Sequence, residues 1–155
     1  MTWTVIEDTP VGPLHLTASE SALTGLRFGS GPADGERVPD HPVLAAAARE
    51  LAEYFVGARQ AFTVPLAPVG TAFQLAVWEQ LRLIPYGTTV SYGELARRLG
   101  SPSASRAVGL ANGRNPIAIV VPCHRVIGAD GSLTGFGGGM PAKRTLLDLE
   151  SGTLF

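Results

Sequence analysis

Residues 91–113, "SYGELARRLGSPSASRAVGLANG", hold two short helical patterns separated by a tight connection. Ser91 and Glu94 have the spacing of a capping box, Leu95 and Leu99 form an apolar stripe, and Gly100 supplies a stop. A second helix then restarts: Ser101 suits the N-cap, Pro102 the first helical position and Gly113 the exit. Two short helices joined by Gly-Ser-Pro predict a helix-turn-helix. The second is rich in small side chains (Ser103, Ala104, Ser105, Ala107, Gly109, Ala111) and bears one long cation, Arg106. Such a bare rod can pack closely on a neighbouring protein backbone or lie on the floor of a shallow nucleic-acid groove. Arg106 tips the balance to the groove, where an arginine can fill the space of a displaced base.

Upstream, "TAFQLAVWEQLRLI" places Phe73, Ala76, Val77, Leu81 and Ile84 on one helical face, and Pro85 with Gly87 ends it. Downstream, "AIVV" reads as a buried strand that Pro122 terminates, and the only cysteine, Cys123, follows directly with His124 and Arg125 behind it. A glycine-dense stretch, "GADGSLTGFGGGM", then leads to a last helix, "PAKRTLLDLE". That stretch lacks the Gly-Lys-Ser/Thr ending of a P-loop. It reads either as a loose connection or as a loop whose backbone approaches a flat ligand under Phe136.

The first half is simpler. "TWTVIED", "LHLTASE" and "ALTGLRF" are three short extended segments divided by Gly, Pro and Ser signals, and "GSGPADGERVPD" is an exposed loop. "HPVLAAAARELAEYFVGAR" sets Val43, Leu44, Ala47, Leu51, Tyr54 and Phe55 at helical spacing, with Gly57 as the C-cap. "AFTVPLAPVG" reads as a short strand running into a linker. The 155 residues, 45% hydrophobic and 16% charged, describe a globular chain of one domain or two small ones. No apolar run reaches the length of a membrane span and no secretory pattern opens the chain, so the cytoplasm is the expected compartment. The net charge of −1 hides an asymmetry. Residues 1–69 hold eight acidic groups against four arginines (−4), and residues 70–155 hold eight basic groups against five acidic ones (+3). The second half therefore suits an anionic partner, although scattered solvated charges would give the same count.

A single thiol cannot form an internal disulfide or a cysteine-rich metal cage. Most lone cysteines are small buried hydrophobes. Here the neighbours point to nucleophilic chemistry, because the thiolate is the attacking species and an adjacent histidine or positive charge lowers the thiol pKa. His124 can serve as the base only if the chain turns at Cys123, since adjacent residues of a strand face opposite ways. A catalytic histidine also needs a third group to set its tautomer, and the last helix offers Glu150, with Asp148 as the alternative.

Together, "GTAFQLAVWEQLRLIPYG", "SYGELARRLG", "SRAVGLANGRNP", "NPIAIVVPCHRVIG" and "GSLTGFGGGMPAKRTLLDLE" resemble the O6-alkylguanine-DNA alkyltransferases over nearly all of residues 70–150, with "PCHRV" a very specific signature. The resemblance implies an α/β two-domain fold. Residues 1–69 would be a ribonuclease-H-like domain, a small antiparallel sheet plus a helix, and residues 70–155 a mostly helical, winged-helix-like domain carrying the helix-turn-helix, DNA contacts and active site. It implies direct-reversal repair, with the alkyl group passing irreversibly from O6 of guanine to Cys123, and O4 of thymine as a further candidate donor. His124 would be the base, acting through a water, and Glu150 would orient it. Tyr92 would assist base rotation and proton transfer to the guanine, and Asn115 would fix the turn linking the recognition helix to the active site. Arg106 would enter the duplex from the minor groove, with Ser105, Ala107, Gly109 and Arg125 also at the DNA. Phe136, Gly137, Val126 and Lys143 would enclose the flipped base. No cofactor and no metal are implied, because the zinc site of some members needs cysteines that this chain lacks. The implied partner is alkylated double-stranded DNA, bound by a monomer or by cooperative assembly along the duplex, with no membrane. Phe136 stands where many members carry a tyrosine, so that residue offers the base no hydroxyl.

Three rivals fit parts of the pattern. An alkyltransferase-like lesion binder would lack the acceptor cysteine. A helix-turn-helix regulator would read the major groove with longer polar side chains. A cysteine peptidase or thiol redox sensor would explain Cys123 and His124 but neither Arg106 nor Tyr92.

Overall fold

The structure, a computed structural model, describes residues 2–32, 34–133, 136 and 139–152. Gly137, expected in the base pocket, lies outside the described residues. The three expected extended segments form β1 (Thr2–Ile6), β2 (Leu14–Ala18) and β3 (Leu23–Phe28), paired antiparallel in sequence order. The sheet is mixed rather than purely antiparallel. Two residues of the expected exposed loop, β4 (Glu36–Arg37), run parallel to β1 and give the order β3-β2-β1-β4. Helix α1 (Pro42–Phe55) buries the predicted face of Val43, Leu44, Ala47, Leu51, Tyr54 and Phe55. His41 accepts the first-turn amide of Val43, and Gly57, at φ +79°, follows the helix as expected.

Between α1 and the next helix, the expected short strand of residues 61–70 does not form. Leu66 makes only an isolated bridge to Leu23, while the Glu50 carboxylate, buried on α1, accepts from the amides of Thr63 and Val64 and from the Thr63 hydroxyl. One buried carboxylate thus replaces a strand partner for this segment.

The second half contains α2 (Ala72–Arg82), β5 (Val90–Ser91), α3 (Tyr92–Arg98), α4 (Ser105–Gly113), a 3-10 turn (Cys123–Arg125), β6 (Val126–Ile127) and α5 (Met140–Ser151). β5 and β6 pair in parallel. On α2 the buried side chains are Val77, Trp78 and Leu81, whereas Phe73 and Ala76 face solvent. The predicted stripe shifts because Trp78 turns inward, where its indole donates to the Ala111 carbonyl of α4 at 2.9 Å. Ser91 caps α3 by accepting from the Glu94 amide at 3.1 Å, but the Glu94 carboxylate turns outward to Arg97 and Arg98, so only half of the expected capping box forms. Gly100, at φ +76°, closes that helix.

Helix α4 starts later than Ser101 and Pro102 suggest. Residues 101–104 make a separate turn closed by the Ala104 amide on the Ser101 carbonyl, and the helix opens at Ser105 without a side-chain cap. Its core face is Val108, Ala111 and Asn112, and its outer face carries Arg106, Ala107 and Leu110.

"AIVV" is not a strand. Ile119 sits at φ +70°, and the amides of Val120 and Val121 fold back onto the carbonyls of Ala118 and Ile117. The coil is buried, so its amides take short-range partners in place of a ladder. The two halves share one apolar core, and their seam is hydrogen-bonded: the Leu26 amide donates to Pro116 at 2.9 Å and the Ala118 amide to Leu26 at 3.1 Å. No helix among the described residues is long and apolar enough to cross a membrane. Leu26, 1% exposed at this seam, should cost about 2–5 kcal/mol when replaced by Ala, read as a shift in urea unfolding. Val69→Ala, at an exposed site, should cost less than about 0.5 kcal/mol.

Candidate active site

Pro122, with its ring-fixed φ and no amide hydrogen, ends the buried coil and lets the chain tighten into the turn Cys123–Arg125. This is the turn that a Cys-His partnership requires. All three residues are buried, and Cys123 is 6% exposed. Its side chain opens on a cleft of about 340 Å³ between the two halves. Arg27 and Phe28 from β3, Asn112 and Gly113 from α4, Asn115 from the following loop and Phe136 line that cleft. Phe28 meets Phe136 edge to face at 5.3 Å between centroids, so the sheet supplies one wall.

Behind Cys123 lies a closed set of charges. The His124 Nε2–H donates to Glu150 Oε2 at 2.7 Å, with both side chains out of solvent. Nδ1 of His124 has no hydrogen-bond partner among the described residues, which makes it the imidazole's acceptor position. Arg125, expected at the DNA, is instead buried. It donates from Nε to Glu150 Oε1 at 2.8 Å, from Nη2 to Oε2 at 2.9 Å and from Nη1 to the Ile84 carbonyl at 2.7 Å. A guanidinium held in this bidentate pair would leave the Glu150 charge unbalanced if it turned outward. The Tyr54 hydroxyl of α1 also donates to Glu150 Oε2, at 2.6 Å. Burial acts to raise the Glu150 pKa, but bonds from His124 and Arg125 outweigh it and hold the group at about 2. Burial lowers the His124 pKa, and Glu150 only partly opposes this, so the imidazole is neutral near pH 7.

Burial raises the Cys123 thiol pKa, opposed by a hydrogen bond from Asn115 and by the charge of Lys143. At rest the sulfur is therefore a thiol. Lys143 is fully buried on α5, donates to the Val126 carbonyl at 2.7 Å and lies 6.0 Å from the centre of the Phe136 ring. Val126 is likewise buried and meets the site through that carbonyl, not through the cleft wall. The Asn115 side chain spans the turn, accepting from the Ile117 amide at 3.0 Å and donating to the Val121 carbonyl at 2.7 Å.

The remaining sequence candidates lie on the helix-turn-helix. Arg106 and Ala107 are exposed on α4, Ser105 and Gly109 are half-buried, and a methyl at Gly109 would touch the Tyr92 ring at 3.7 Å. Tyr92 therefore packs over the small-residue face of α4. Two polar side chains escaped the sequence reading. Asn112 donates to the Cys123 carbonyl at 3.4 Å, and Tyr54 read only as one apolar position on a helix. A buried tyrosine needs a partner for its hydroxyl, and that was the available signal.

These features define an α/β protein in which a helix-turn-helix stands beside a buried thiol, a neutral imidazole and an ionised carboxylate. Residues 1–68 match the family described as 6-O-methylguanine DNA methyltransferase, ribonuclease-like domain, and residues 72–152 match its DNA binding domain. The methylated-DNA--protein-cysteine methyltransferase of Mycobacterium tuberculosis is 53% identical over 146 residues, covering 92% of this chain and 88% of the relative. That of Methanosarcina acetivorans is 51% identical over 150 residues, covering 94% and 96%. The crystal structure of Mycobacterium tuberculosis OGT in complex with DNA superposes with a TM-score of 0.91 at 49% identity, covering 98% of this chain and 94% of that one. The chain belongs to the 6-O-methylguanine DNA methyltransferase family.

The buried groups set a pH dependence. His124, depressed on folding, contributes stability present above its unfolded value of about 6.5 and lost as pH falls below it. Glu150 contributes stability present above about 4.3 in the unfolded chain and lost as pH drops toward the folded value of about 2. The urea midpoint should therefore fall between pH 7.5 and 5.5 and fall again below about 4, and His124→Gln should flatten the first decline. A midpoint unchanged from pH 7.5 to 5.5 would contradict a buried neutral His124.

Proposed function

We propose that this protein repairs DNA by direct reversal, taking the alkyl group from O6 of guanine onto Cys123 in a single turnover. The observation that carries this reading is the lone thiol at a cleft between the two halves, directly followed by an imidazole held by an ionised carboxylate. A cleft of about 340 Å³ lies at the lower end of small-ligand sites, about 300–1,000 Å³, and suits one extruded base. Extrusion is required because the O6 substituent is out of reach inside the stack, and it costs a few kcal/mol.

The Cys123 proton passes through a water to Nδ1 of His124, whose Nε2 stays on Glu150. The thiolate attacks the alkyl carbon in line with the breaking C–O bond, so a carbon-sulfur bond replaces a carbon-oxygen bond. The departing guanine, negative at O6, takes a proton with help from Tyr92, and the buried Lys143 cation beside Phe136 favours that charge. The thioether has no leaving group to reverse the step, hence one lesion per chain. Asn115 holds the turn between α4 and the thiol.

Double-stranded DNA is bound from the minor groove by α4. The exposed Arg106 fills the vacated stack, and Ser105, Ala107 and Gly109 allow close backbone approach. Residues 1–69 and 70–155 form the two domains, and the protein acts as a monomer in the cytoplasm, with no cofactor or metal.

With excess duplex DNA containing O6-methylguanine, intact mass and peptide mapping should find one added methyl group per chain, on Cys123, and no turnover beyond one equivalent. DNA binding without a mass gain would move the function to lesion sensing. Cys123→Ala should lose transfer and keep lesion binding. Arg106→Ala should slow transfer roughly 10-fold or more in single-turnover kinetics, since extrusion is worth a few kcal/mol.

A further inference from the structure

The Glu150 carboxylate receives a bond that the transfer chemistry, as described, does not use. Tyr54 lies in the first half, 96 residues away in sequence, yet its hydroxyl stands 2.6 Å from Oε2. That oxygen also accepts from His124 Nε2 and from Arg125 Nη2. The Tyr54 side chain is fully buried, with the rings of Phe55, Phe62 and Tyr86 at 5.3, 5.5 and 6.2 Å. Its direction is therefore set by packing. Against an ionised carboxylate a phenol can only donate. Burial first, then Glu150, pushes the Tyr54 phenol far above its ordinary range, so it keeps that proton throughout the working pH.

A donor on Oε2 draws negative charge from the oxygen that faces the imidazole. With that charge partly satisfied, Glu150 stabilises an imidazolium less. The other charged or titratable groups facing this couple are Arg125 from the same turn, Tyr86 from the loop after α2, and Lys143 from α5, with Cys123 beside His124. Arg125 and Lys143 disfavour a proton on His124, and Glu150 favours it. Among these neighbours Tyr54 alone comes from the first half and binds the very oxygen that holds the imidazole.

We propose that Tyr54 is a positioning residue for the transfer reaction: by donating to the carboxylate oxygen shared with His124, it keeps that imidazole neutral and its free nitrogen ready to accept the thiol proton. The first domain thereby acts on the chemistry through α1. This rests on the reading of His124 as the base for Cys123.

The test is a titration of the side-chain nitrogens of His124 by 15N NMR on the full chain, which has three histidines to resolve, together with the pH profile of single-turnover transfer from O6-methylguanine DNA. In Tyr54→Phe the His124 midpoint should rise by about 0.5–1 unit, the loss of one hydrogen bond to a charged group. The acid limb of transfer should move up by the same amount, so that transfer below it falls roughly 3–10-fold. Placing 3-fluorotyrosine at position 54 strengthens the donor and should move the midpoint the other way, a reversal that loosened packing cannot produce. That second substitution carries the test if Tyr54→Phe does not fold. A His124 midpoint unmoved by either change, or moved the same way by both, would overturn the proposal and leave Tyr54 a domain pin. Failure of the unaltered protein to transfer the alkyl group would instead sink the reading of function, while the His124 titration, which needs no DNA, would still decide whether Tyr54 sets the state of the imidazole.

Discussion

Four hydrogen bonds converge on the buried carboxylate of Glu150: one from Tyr54, one from His124 and two from Arg125. A lone carboxylate in an apolar interior would be protonated or would force the interior open. Here it stays ionised because a guanidinium balances the charge and each bond is short. Removing any partner of a buried pair costs far more than a solvent-exposed pair is worth, since it strands the remaining charge. α5, α1 and the turn bearing Cys123 are therefore held in one geometry by one group. The imidazole tautomer, and the direction in which its free nitrogen points, follow from that.

The path of the chain into the turn serves the same geometry. A regular strand through Ile117–Val121 would have carried Cys123 and His124 to opposite faces. Instead the segment coils, with Ile119 in a left-handed conformation that β-branched residues rarely adopt. The Asn115 side chain clamps its start, and the seam bonds between Leu26 and residues 116–118 fasten it to the sheet. Local backbone strain of this kind persists where surrounding contacts over-determine it, here beside the thiol.

The legible parts of the sequence were those governed by local rules. The three strands, the face of α1, the Ser91 cap and the Gly100 stop follow from side-chain period, capping and left-handed glycine, each acting within a few residues. The Cys-His pair and the need for a carboxylate followed from thiol chemistry, and the resemblance singled out Glu150. The partners of Arg125 and Tyr54 were not legible, for one reason. An arginine is ordinarily solvated and a tyrosine on a helix face ordinarily packs, and neither default accounts for a partner 25 or 96 residues away. The stripe of α2 shifted likewise, because the Trp78 indole found a carbonyl on α4.

The sequence by itself determined the class of fold, the family, the single thiol and its immediate neighbours, because these rest on periodicity, on residue type and on motifs that are contiguous along the chain. Only the tertiary structure decided which oxygen holds the imidazole, that Arg125 faces inward, and that the first half reaches the site through Tyr54. Charge compensation inside a low-dielectric interior depends on which groups converge in space, and short-range pattern carries no record of that convergence.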